Sequence, residues 1–83
     1  MGFGAEVITL RQDKCIRYFK NKNATSLSTA VSVADISLSG HLHKRTMRHL
    51  INEGVIIEKA GMVYLDEDRW EVFRKSLKRW FLA

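Results

Sequence analysis

Wound at 3.6 residues per turn, residues 5–20 bring Ile8, Gln12, Cys15, Ile16 and Phe19 to one side, which predicts a helix with a core face. Val7, Leu10 and Tyr18 fall outside that face. This is more apolar surface than a small surface helix needs, and it predicts a second contact, with the last helix or with another subunit. Residues 1–4, Met-Gly-Phe-Gly, carry no period and read as a loose start, and Asn21-Lys22-Asn23 reads as a helix end and loop.

Leu27, Ala30, Val31 and Ala34 recur at helical spacing behind a Ser26 cap, whereas the alternation Thr29, Val31, Val33 equally suits a strand. The next four residues decide for a short helix over 28–36. Ser37-Leu38-Ser39-Gly40 is a tight glycine-containing link, and it leads into the most divided stretch of the chain. Over residues 40–53 a helix would gather Leu42, Met47, Leu50 and Ile51 on one side. His41, Lys44, Arg45, Arg48 and Asn52 gather on the other, with no carboxylate among them. Ser39 is placed to cap its amino end, and Gly54 is the expected left-handed stop. A solvated basic face is the plain reading of such a helix. A major-groove reader is the sharper one, because it needs a core face backed by a basic, hydrogen-bonding face.

After Gly54 the period drops to 2. Residues 55–58 and 62–65 predict two short strands around a three-residue loop, Lys59-Ala60-Gly61, with glycine in the left-handed last position. That loop sets Val55 opposite Leu65 and Ile57 opposite Val63 on the core side, leaving Ile56, Glu58, Met62 and Tyr64 on the other. A last helix over 67–82 opens on Asp66-Glu67-Asp68, with acids at its positive end and Arg74, Lys75, Lys78 and Arg79 towards its negative end. Trp70, Phe73, Leu77, Trp80 and Phe81 form its apolar stripe. Trp70, Phe73 and Leu77 suit a core; Trp80 and Phe81 suit a subunit interface, where large aromatics are enriched.

Eighty-three residues allow one small domain, and 46% hydrophobic residues suffice to pack it. A net charge of +5 favours an anionic partner. One cysteine excludes an internal disulfide and a cysteine-built zinc site, and suits a reducing compartment. No apolar run reaches the ~20 residues of a membrane span, so a cytoplasmic location is expected, on the nucleoid if DNA is bound. His41 and His43 lie two apart and His49 six further on, so no pair has the i, i+4 spacing of a helical zinc site. No phosphate-binding loop or nucleophile–base arrangement is present. The expectation is neither an enzyme nor a metalloprotein, with no cofactor and no small-molecule substrate.

Helix, helix, turn, basic helix, short hairpin, helix resembles a winged helix-turn-helix domain, an α+β, mainly helical fold. The stretch Thr46-Met47-Arg48-His49-Leu50-Ile51-Asn52-Glu53-Gly54-Val55-Ile56 is similar to the recognition helix and first wing strand of that superfamily. Its mark is a leucine four residues before a glycine followed by two aliphatics, here Leu50, Gly54, Val55 and Ile56. The resemblance covers roughly residues 5 to 82. It implies a three-helix core, a two-stranded hairpin wing and an extra carboxy-terminal helix.

Three features depart from the common form. The wing loop is very short with one basic residue, the second helix is rich in serine and valine, and His43 falls on the apolar face of the third. Either His43 is a core histidine or the helix is phased differently.

The resemblance implies that His41, Lys44, Arg45 and Arg48 meet base edges or phosphates. Ser39 then lies at the amino end of that set, Asn52 at its far end, and Lys59 at the wing tip. Arg45 and Arg48 are the better base readers, since a guanidinium holds guanine with two bonds. The function expected is sequence-specific binding of double-stranded DNA by a small transcriptional regulator. A homodimer is expected, with Val7, Leu10, Tyr18, Trp80 and Phe81 at its interface. The alternative is a winged-helix interaction module of a larger assembly, working through the aromatic carboxy-terminal helix.

Overall fold

The computed structural model describes residues 3–39 and 42–76, and their side chains over 7–36 and 42–76. In order these form α1 (Phe3–Asn21), a single 3-10 turn (Leu27–Thr29), β1 (Val31–Ser32), α2 (Val33–Ser39), α3 (Lys44–Asn52), β2 (Ile56–Lys59), β3 (Met62–Leu65) and α4 (Glu67–Phe73). The result is a small α+β domain, mostly helical. Its antiparallel sheet has the strand order β1-β3-β2.

The first helix begins at Phe3, so the start expected to be loose is helical from residue 3. Its predicted core face is the observed one. Gln12, Cys15, Ile16 and Phe19 are buried, and Ile8 is half-buried. The helix ends by the left-handed cap that Asn supports. Asn23 has φ 56, its N–H donates to the Lys20 carbonyl (3.1 Å), and Ala24 N–H reaches back to Phe19 (2.9 Å). Ala24 is thereby driven into the core, fully buried.

Of the helix expected over 28–36 only the last part forms, as the start of α2 at Val33. Ser26 N–H donates to Thr29 Oγ1 (3.2 Å), and the two hydroxyls lie 3.0 Å apart, which holds one isolated turn. Ala30 then leaves at ψ 151, and Val31 and Ser32 pair with Val63 and Met62 of β3. The β-branched run takes a strand because a partner strand some thirty residues away supplies the ladder. Ser32 Oγ accepts from Ala34 N–H (3.2 Å), so the helix starts at Val33 and runs to Ser39.

The hairpin is present in a different register. The pairs are Ile56↔Leu65, Ile57↔Tyr64, Glu58↔Val63 and Lys59↔Met62, joined by the two-residue turn Ala60-Gly61. Both turn residues have positive φ, 53 and 79, the type I′ form whose twist matches that of the strands. Lys59 thus belongs to β2 rather than to the loop. A one-residue slip reverses every side chain of β2. Ile56, not Ile57, enters the core with Val63 and Leu65.

The last helix also ends early. Asp66 caps it by accepting from Arg69 N–H (3.0 Å), as the acidic start predicts, but it stops at Phe73. Ser76 donates both its N–H and its hydroxyl to the Phe73 carbonyl, 3.0 Å each, which turns the chain out of the α-helical ladder. The remainder of the helix expected to 82 lies outside the described residues. Trp70 and Phe73 are buried as expected.

Candidate nucleic-acid interface

The basic helix starts four residues later than its sequence suggests. Ser39 closes α2, and the cap of α3 is His43, with extended backbone (φ −76, ψ 122). Its Nδ1 accepts from Thr46 N–H at 3.4 Å and lies 3.3 Å from the Thr46 hydroxyl. His43 is exposed, so it is neither a core histidine nor part of the apolar face. Nor is the helix phased differently: it starts later with the same faces, so that His43 precedes it and caps it, exposed at the head of the basic surface.

From Lys44 onward the two faces separate as the period dictates. Thr46, His49 and Leu50 are buried, Met47 and Ile51 half-buried, and Lys44, Arg45, Arg48 and Asn52 lie on the solvent side. None of these three cations is in an ion pair among the described residues. Helix α3 packs on α1 and β2, and His49 sets its ring edge to Phe73 of α4, centroids 5.7 Å apart. His49 is not legible as a core residue from the sequence; its place follows from Thr46 and Leu50, its neighbours on the inward face.

The carboxyl end of α3 is closed twice. Gly54 stands at φ 79, its N–H donates to Ile51 (3.1 Å), and Val55 N–H returns to Leu50 (2.9 Å) while its side chain is buried. Arg69 Nε donates to the Glu53 carbonyl. Gly54 is thus the left-handed stop that the sequence predicts, and it leads directly into the hairpin.

The other candidates are dispersed. Lys59 is exposed at the end of β2, beside the turn. His41 lies outside the described residues, as do Trp80 and Phe81, and the side chain of Ser39 is likewise not described. Val7 and Leu10 are exposed on the first half of α1, Leu10 at 67%. Tyr18 is half-buried against the core, its ring edge to Phe19 (5.5 Å) and Lys22 Nζ over its face (5.8 Å). Tyr18 therefore has partners within its own chain, whereas Val7 and Leu10 face outward.

Burial pushes the Cys15 thiol up to about 12 from 9.0, against the smaller opposing effect of Lys14. A thiol so placed has no nucleophilic role near neutral pH. Among the described residues no cluster of His, Cys, Asp or Glu could hold a metal ion, and no helix is long and apolar enough to cross a membrane. Compared with known proteins, the chain matches no family model, no curated protein and no solved structure.

Proposed function

We propose that this chain is a winged helix-turn-helix protein that binds double-stranded DNA through α3, as a small sequence-specific transcriptional regulator. One observation carries the reading. Lys44, Arg45 and Arg48 stand on the solvent side of one nine-residue helix, unpaired among the described residues, over an inward face that fixes the helix to α1 and β2. An unpaired cationic surface on a rigid element suits phosphate binding, which dominates affinity for duplexes. The order of elements supports the same reading: α1, then a short strand, then α2 and α3, the last passing through one glycine into a hairpin whose second strand pairs with that short strand.

Magnitudes argue for two copies at a site. Lys44 to Asn52 span roughly 12 Å of helix axis at 1.5 Å per residue. At about 3.4 Å per base pair that covers three to four base pairs. Such a short reach gives little specificity from one protomer, and a two-fold pair reading a palindrome doubles it. Val7 and Leu10, exposed on α1, are the described residues that suit such a contact. The alternative, a protein-docking module built on the aromatic helix, draws less support. Trp70 and Phe73 are in the core, and Val72 at 69% exposure is the large apolar side chain that α4 leaves outside.

Titration of the full chain on a random duplex at about 50 and 200 mM salt tests the reading, since phosphate-driven binding falls by orders of magnitude over that range. Saturable binding that weakens steeply supports it. A folded chain that binds no duplex at the lower salt overturns it.

A further inference from the structure

A groove of about 660 Å³ runs along one side of α3, a size at which small molecules are held. Its apolar lining comes from three elements and the lead into α3: Val33 and Ile36 of α2, Leu42, Met47 and Ile51, and Val63 of β3. Its α3 edge is polar. Residues 44, 47, 48, 51 and 52 form a single stripe of that helix, so Lys44 and Arg48 flank the groove, whereas Arg45 lies off it. Glu58 of β2 lines the groove as well.

We propose that this groove binds an amphipathic monocarboxylate, its apolar body against Met47, Ile51 and Val63 and its carboxylate on Lys44 and Arg48. Charge selects the occupant. Two cations unpaired among the described residues border an apolar floor, an arrangement complementary to one anionic head on an apolar body. The Glu58 carboxylate repels a second negative charge, which disfavours dianions. The chain's own carboxy-terminal stretch is apolar but brings Lys78 and Arg79, like in charge to that edge. Because Lys44 and Arg48 belong to both surfaces, a bound carboxylate competes with phosphate and weakens duplex binding. This last step rests on the DNA-binding reading; the binding site itself does not.

The test is titration of the isotopically labelled full chain with decanoate, decanamide and decanedioate below micellar concentrations, read by amide chemical shifts. Decanoate is expected to shift the amides of Met47, Ile51 and Val63 saturably, and to bind about tenfold tighter than decanamide, the gain of one charge-assisted hydrogen bond. Decanedioate is expected to bind more weakly than decanoate, with the gap closing in Glu58→Gln. Ile51→Trp, which fills the groove, is expected to lose decanoate but keep the duplex. Equal affinity for decanoate and decanamide, or no saturable shift at these amides, overturns the proposal. Retention of decanoate by a natively folded Ile51→Trp also overturns it. Duplex binding without decanoate binding defeats this inference alone. Decanoate binding without duplex binding leaves the site standing and defeats the DNA-binding reading.

Discussion

Arg69 Nε donates to the main-chain carbonyl of Glu53 at 3.1 Å, tying the first turn of α4 to the carboxyl end of α3. The same residue gives its backbone N–H to the Asp66 cap, so one arginine joins the start of one helix to the end of another. A guanidinium at the negative end of α3 also complements its dipole. The bond fixes the orientation of the basic helix from below, independently of any groove contact.

Removing that bond is expected to cost stability without touching the basic face. Arg69→Ala should lose roughly 1 kcal/mol, the scale of an exposed charge-assisted hydrogen bond. Gly54→Ala should lose about 1–2 kcal/mol, because an L-residue at φ 79 is strained. Its Cβ would also stand 3.2 Å from Arg69 Nε, so the double variant should lose less than the two losses summed. Urea unfolding of the four proteins measures the coupling.

Ala60 occupies the first position of the type I′ turn at φ 53, where alanine is strained and asparagine is favoured. Ala60→Asn is expected to stabilise the domain by roughly 0.5–1 kcal/mol with the pairing register unchanged. Thermal unfolding reads the gain, and cross-strand contacts between Lys59 and Met62 read the register.

His43 separates capping from charge. His43→Ala should lower stability by about 0.5–1 kcal/mol, as loss of a side-chain cap does. His43→Asp restores the cap and favours the helix dipole, so stability should recover while duplex binding weakens through the added negative charge. Parallel unfolding and duplex titration of both variants check the split.

Cys15 sets an alkaline limit. Its thiol is near 12 in the folded chain against 9.0 unperturbed, so below pH 9 both states hold the proton and the buried thiol costs nothing in pH dependence. Between 9 and 12 the unfolded chain ionises first, and stability should fall by at most about 1.4 kcal/mol per pH unit. Cys15→Ala should flatten that slope while losing packing. A thiol reagent at neutral pH should label wild-type protein only as it unfolds.

The parts of the fold written in local pattern are legible in the sequence. The inward faces of α1 and α3, the Gly54 stop and the Asp66 cap each come from period and turn chemistry within a few residues. The misreadings have non-local or ambiguous causes. Val31 and Ser32 form a strand only because Val63 and Met62 arrive to pair with them. Lys59-Ala60-Gly61 fits a three-residue loop as well as a strand end plus a two-residue turn, and Ala60 is an unusual residue for the latter. Ser39-Gly40 reads as a better cap than His43, which few helices use. Of the candidate site, Lys44, Arg45, Arg48 and Asn52 are legible because the outward face depends on phase alone, which survives a later start. His43 is not, since its role depends on where the helix begins.

Fluorescence anisotropy of a labelled random duplex, titrated with wild type and with Arg45→Ala/Arg48→Ala across about 50 to 200 mM salt, tests the central claim most directly. The expected result is micromolar wild-type binding at low salt with a steep logarithmic salt slope. In the double variant, folded by circular dichroism, that slope should be shallower by roughly 1.8 if both guanidinium groups meet phosphate. Unchanged affinity and slope in the variant, or no binding by folded wild type, would contradict a DNA-binding role for α3.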